Sequence, residues 1–194
     1  MHWYEKLNEY FPIHEMKSQE HMETLLEEKG DIYQKDEGPH HVLMYVEDTD
    51  YIFIDYLFVS NASRGQGIGK KLIKMLQEKQ KPILLEVEPI DKNDKDSARR
   101  LKFYKREGFN HASMVSYRRR SLATNEISPM EILYWAPNPR LDAAEEEEIL
   151  NYMKRTYQRI HTYKDKLFYG KMYQPVDEVL TLKSAPEEDI LKSI

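Results

Sequence analysis

The chain has 194 residues, with 29 Lys and Arg against 34 Asp and Glu and a net charge of −5. That balance excludes nucleic acid as the main partner, because neutralising phosphates takes a surplus of basic side chains. The 40% hydrophobic content supports one packed core, and the absence of cysteine excludes a disulfide scaffold, a thiolate zinc site and a thiol nucleophile.

Glu5, Lys6 and Glu9 interrupt the apolar residues of the first segment, and no run reaches the roughly 18 apolar residues of a membrane span. A soluble, cytoplasmic protein without a membrane partner is the expectation. Trp3, Leu7, Tyr10 and Phe11 recur at helical spacing until Pro12 stops them. Ser18 is placed to cap a second helix that carries Met22, Leu25 and Leu26 on one face and ends at Gly30. Residues 42–46 and 51–59 read as strands around an Asp48-Thr49-Asp50 turn. The second run is apolar on both faces, as a central strand requires.

Residues 60–70 break the pattern, with three glycines within five positions. Leu72, Ile73 and Leu76 then mark one face of a helix that Pro82 ends, and residues 83–87 read as a further strand. A helix begins at Asp96 or Ser97 and runs through Leu101, Phe103 and Tyr104 to Gly108. Residues 111–117 and 130–135 read as two last strands joined by a polar loop that includes Arg118, Arg119 and Arg120. These arginines read as a solvated loop or as a grip for an acidic group. Residues 142–163 read as a long helix whose acidic start, Glu145 to Glu148, complements its dipole. Beyond it only Val179, Leu180 and Leu182 form an apolar cluster.

The glycine segment, Ser60-Asn61-Ala62-Ser63-Arg64-Gly65-Gln66-Gly67-Ile68-Gly69-Lys70, lies between a buried strand and an amphipathic helix. Glycines there let successive backbone N–H groups converge, and the helix N-terminus adds partial positive charge, a combination suited to a phosphate or pyrophosphate. A Walker loop fails because Arg64 stands where its first Gly belongs and Lys71 where its Ser or Thr belongs. A dinucleotide fingerprint fails because its last Gly falls on Lys70 or Leu72. What remains is Arg-x-x-Gly-x-Gly after a strand ending in Val59.

That pattern resembles the signature of the GNAT superfamily of acetyl-CoA-dependent N-acetyltransferases. A second segment, Phe103-Tyr104-Lys105-Arg106-Glu107-Gly108-Phe109, is similar to the family's Phe-Tyr-x-x-x-Gly-Phe, and the resemblance covers residues 51–109. It implies an α/β fold with a twisted mixed sheet flanked by helices, residues 1–163 as the acetyltransferase domain, and residues 164–194 as a C-terminal extension packed on that domain or on a second copy. It also implies that acetyl-CoA is the co-substrate. Its pyrophosphate is expected on Arg64, Gly65, Gln66, Gly67, Ile68, Gly69 and Lys70. Its pantetheine arm is expected on the backbone of Leu57, Phe58 and Val59, from which the neighbouring strand splays. Ser97 stands where many members have a cofactor-touching Asn, and Arg100 stands where a small residue is common.

Direct attack by an amine on the thioester is the economical chemistry for a chain without cysteine. Tyr104 is the expected proton donor to the departing thiolate. Asp55 and Glu86 are the expected catalytic carboxylates, since an acid on a buried strand is costly unless paired or functional, with Glu88 behind them. An ion pair with Arg99 or Arg100 is the bland alternative for both. No histidine spacing suggests a metal site, and none is expected. The resulting expectation is acetyl transfer to a primary amine on a small, amino-acid-like molecule by a monomer or homodimer. The alternative is a coenzyme A-binding module without catalysis.

Overall fold

The computed structural model describes residues 1–90 and 95–194. Helix α1 (Trp3–Tyr10) is capped by His2, and Glu5 closes the reciprocal capping box. After Pro12 a single tight turn, Ile13–Glu15, leads to α2 (Gln19–Glu28), where the Ser18 side chain accepts from the His21 amide. Strands β1 (Tyr33–Gly38), β2 (His41–Glu47) and β3 (Ile52–Val59) follow as an antiparallel meander. Helix α3 (Ile68–Gln77) crosses to β4 (Ile83–Val87), which pairs with β3 in parallel. Next come α4 (Lys95–Arg106), β5 (Asn110–His111), β6 (Val115–Arg120) and β7 (Ile127–Trp135). Helix α5 (Ala143–Thr156) runs into a π turn at Tyr157–His161, and α6 (Asp165–Tyr169), α7 (Val176–Val179) and β8 (Leu180–Leu182) finish the chain.

The strand order is β1-β2-β3-β4-β7-β6-β8, with β5 also on β7. Among the described residues only the β3–β4 pair is parallel, so the sheet is mixed, and helices cover both faces, as the α/β expectation required. Period-two alternation divides the core. Val42, Met44, Val46 and Phe53 pack with α1, α2 and α5 residues such as Leu7, Leu25 and Met153. Leu43, Ile52, Ile54 and Leu85 face α3 and α4 through Leu72, Ile73, Leu76 and Leu101.

Two irregularities shape the middle of the sheet. In the β2–β3 pair Met44 opposes Tyr56 and Tyr45 opposes Ile54, so Asp55 is an extra residue in a bulge. In the β3–β4 pair the register ends at Ile54 opposite Leu85, although β3 continues to Val59 and β4 to Val87. The two strands therefore separate immediately before Asp55 and Glu86.

Several elements differ from the sequence reading. Strand β1 is unanticipated because Tyr-Gln-Lys-Asp-Glu-Gly buries only Tyr33, as suits an edge strand. The expected strand over 111–117 divides into β5 and β6. Arg118, Arg119 and Arg120 belong to β6 rather than to a loop. Residues 164–194 add β8 to β6 and bury Val179, Leu180 and Leu191 against the same sheet. No helix among the described residues is long and apolar enough to cross a membrane.

Candidate active site

Where β3 and β4 separate, a cleft of about 620 Å³, counting its open mouth, lies among Glu15, Asp55, Glu86, Glu88, Arg100, Tyr104 and Arg119. Pairing stops here, so the main-chain groups of β3 beyond Ile54 lack the partner strand that a continuous ladder supplies. Leu57 lines the cleft, while Phe58 and Val59 continue the same strand edge towards the glycine segment.

Both acids that the sequence singles out stand at the base of the opening. The bulge turns the Asp55 side chain inward, where it is 4% exposed. Lys17 donates to its Oδ1 at 2.6 Å and the Tyr33 hydroxyl to its Oδ2 at 2.7 Å. Burial opposes ionisation of Asp55, but Lys17 overrides it and holds the carboxyl below its ordinary pKa. Glu86 accepts from Tyr117 at 2.9 Å and His161 at 2.6 Å on Oε1, and from Arg119 at 3.1 Å on Oε2. Despite burial, these cationic and hydrogen-bonding neighbours draw its pKa down to about 2. Burial also pushes His161 below the usual imidazole value, so a neutral ring donates its Nε2–H to Glu86 and leaves Nδ1 buried without a partner among the described residues. The partners of Asp55 and Glu86 are therefore Lys17, Tyr33, Tyr117, Arg119 and His161, not the Arg99 or Arg100 considered from sequence. Arg99 pairs instead with Asp96 at 2.8 Å.

Tyr104 faces the cleft from α4, 7% exposed, and its hydroxyl makes no hydrogen bond among the described residues. Burial raises its pKa well above the ordinary phenol value, so it stays protonated. Ser97, one helical turn away from Arg100 and nearly two from Tyr104, is buried on the same helix.

The glycine segment connects β3 to α3. Gly65 and Gly67 have φ of 82° and 78°, which glycine adopts without strain, and a Cβ built on either would meet no atom within 4 Å. Gly67 is the N-cap and carries no side-chain cap, so the first N–H groups of α3, on Ile68, Gly69 and Lys70, have no intrahelical acceptor. At Gly69 the reason for glycine is different: a Cβ would stand 3.2 Å from Phe103. Arg64 lies beside this loop, 3.4 Å from Asp96 and over the Tyr10 ring. Gln66 bonds back to Ala62, and Lys70 lies on the first turn of α3.

Sequence reasoning missed Glu15 altogether. Its carboxylate lines the cleft, with Oε1 buried and without a hydrogen-bond partner among the described residues. Burial and the neighbouring Glu88 raise its pKa, opposed by Arg100, Arg119 and His14. His14, Glu15 and Glu88 bring three ligating atoms within 4.8 Å of one another, a grouping that histidine spacing did not reveal. The positive charge of Arg100 and Arg119 beside it opposes a metal cation.

The acetyltransferase (GNAT) domain family matches residues 26–111, a span containing the separated strands and the glycine segment. A protein of Bacillus subtilis (strain 168) named "Putative acetyltransferase YjbC" is 60% identical over 182 residues, 94% of this chain and 93% of its own length. The chain belongs to the GNAT acetyltransferase family. A solved structure, "Putative acetyltransferase from GNAT family from Bacteroides thetaiotaomicron", has the same fold, with a TM-score of 0.59 at 24% identity over 79% of this chain and 88% of its own. Within this GNAT fold, the separated strands and Tyr104 line a cleft that carries four carboxylates among the described residues, and the glycine segment follows the far end of β3.

Proposed function

We propose that the chain transfers an acetyl group from acetyl-CoA to a primary amine by direct attack in a ternary complex. The observation that carries this reading is the separation of β3 from β4 after Ile54 and Leu85, beside a helix start whose amides are uncapped. An amide-bearing arm drawn between the strands would find hydrogen-bond partners on Leu57, Phe58 and Val59. A pyrophosphate would find the N–H groups that follow Gly65 and Gly67, with Arg64 and Lys70 beside it. Ser97, buried on α4, is a further candidate contact for the cofactor.

Tyr104 suits the thiolate. It is neutral, has no competing hydrogen bond among the described residues, and sits in a shielded site where a donated proton or hydrogen bond counts for most. Asp55 and Glu86 suit a different task from the one their position suggested. Fixed donors occupy both carboxylates and stabilise their ionised forms, so taking up a proton would forfeit those interactions. We assign them the positioning of the cleft floor and leave the removal of the amine's proton to another group.

The test is thiol release from acetyl-CoA over a panel of primary amines, with coenzyme A binding followed by calorimetry. Amine-dependent release supports transfer. Tight coenzyme A binding with no release from any amine would favour a non-catalytic binding module.

A further inference from the structure

An amine acceptor arrives at neutral pH largely as an ammonium ion, and it attacks only after losing a proton. Glu15 is placed differently from the paired acids of the cleft floor. Its carbonyl accepts from the Tyr56 hydroxyl at 2.9 Å and from Arg119 at 3.2 Å, so β3 and β6 both pin the turn that carries it. Its side chain is 12% exposed, and Oε2 is 3.9 Å from Arg100. Oε1 is buried with no hydrogen-bond partner among the described residues, a polar atom whose desolvation an incoming donor would offset. Glu88 approaches from the end of β4 and bonds to His14 at 2.8 Å, with both side chains partly open to water.

We propose that Glu15 is the base that deprotonates the acceptor ammonium, and that Glu88 and His14 pass the proton on to solvent. The inference rests on the acetyl-transfer reading above. It implies an acceptor that enters as a cation on the side of the cleft between the Ile13–Glu15 turn and the end of β4. The ammonium gives one proton to Glu15 Oε1, and that proton leaves through Glu88 and His14. The freed lone pair forms the C–N bond at the thioester carbon. Collapse of the adduct breaks the C–S bond, whose electron pair leaves on sulfur. Tyr104 gives the thiolate a proton and regains one from the amide nitrogen. The sum is ammonium plus acetyl-CoA going to acetamide, coenzyme A thiol and one proton.

The charged groups facing Glu15 are Glu88, His14, Arg100 and Arg119. Burial and Glu88 outweigh the other three and raise the carboxyl's pKa above the ordinary glutamate value, the direction a base needs.

Two nucleophiles separate a base from a structural acid. Benzylamine is mostly protonated at neutral pH, whereas hydroxylamine is mostly neutral and needs no base. Glu15→Gln is isosteric and breaks no hydrogen bond at Oε1. We expect it to lower kcat/KM for benzylamine by about 100-fold or more, to abolish the acidic limb of its pH profile, and to leave hydroxylamine turnover and coenzyme A binding unchanged. An equal loss with both nucleophiles, or no loss with benzylamine, overturns the proposal. So does a Glu15 carboxyl that titrates at or below the ordinary glutamate range, read by carbon-13 NMR with the same variant as its assignment. If the native enzyme consumes acetyl-CoA with neither nucleophile while still binding coenzyme A, the transfer reading itself fails and takes this inference with it.

Discussion

Lys17 donates to Asp55 at 2.6 Å, and the two side chains are 1% and 4% exposed. A buried pair of this kind matters mainly through what its disruption leaves behind. Lys17→Met leaves Asp55 with the Tyr33 hydroxyl alone among the described residues and should cost about 3–5 kcal/mol in urea denaturation. Adding Asp55→Asn removes the stranded charge and should restore some of that loss. A single variant within about 1 kcal/mol of the native chain would contradict this account, because that is the range of exposed pairs.

Stability should fall in two stages as the solution is acidified. His21 is buried, its pKa drawn down to about 3 by desolvation, and the neutral ring is bonded to the Ile160 carbonyl and the Tyr169 hydroxyl. Between pH 6.5 and about 3 the unfolded chain binds more protons at this site, so stability declines as pH falls through that window. Glu86 adds to the decline from pH 4.5 towards about 2, where the native carboxylate at last protonates and loses Arg119 and His161. Thermal midpoints measured against pH check the sign. His21→Gln should flatten the profile between pH 6 and 4, and a native profile flat over that range would rule out the assignment.

Tyr104→Phe should reduce turnover by about tenfold or more while leaving coenzyme A affinity alone. The lost hydroxyl has no hydrogen-bond partner among the described residues, so denaturation midpoints should barely move. Near-native turnover would remove Tyr104 from the chemistry.

In the glycine segment, Gly67→Ala adds a methyl group that meets no atom within 4 Å, so its effect comes from the backbone alone. Holding a residue with a Cβ at φ 78° costs about 1–2 kcal/mol. Coenzyme A binding should weaken by at least tenfold as the amides turn away, with little change in the core. Gly69→Ala differs in kind, since Phe103 must give way by a few tenths of an ångström. Its penalty should appear in the denaturation midpoint as well as in binding.

The features of this molecule that were legible in the sequence are those governed by local rules. Strand β3, the glycines and the amphipathic α3 announce themselves through apolar runs, positive-φ chemistry and helical spacing, and Tyr104 came with its surrounding motif. Lys17, His161 and Arg119 gave no such signal. Each looks like a solvated polar residue until the sheet brings residues 17, 55, 86, 119 and 161 into one buried network. Glu15 sits on a short turn after a proline, and only the cleft wall opposite gives its carboxylate meaning. Asp55 was legible as a buried acid, but not its partner, because the bulge that turns it inward depends on the register with β2.

Calorimetric titration of the native chain with acetyl-CoA tests the central claim most directly. The account predicts one site per chain, weakened by Gly67→Ala and indifferent to Glu15→Gln. No detectable binding, or binding that Gly67→Ala leaves untouched, would contradict the assignment of the separated strands and the glycine segment to the cofactor.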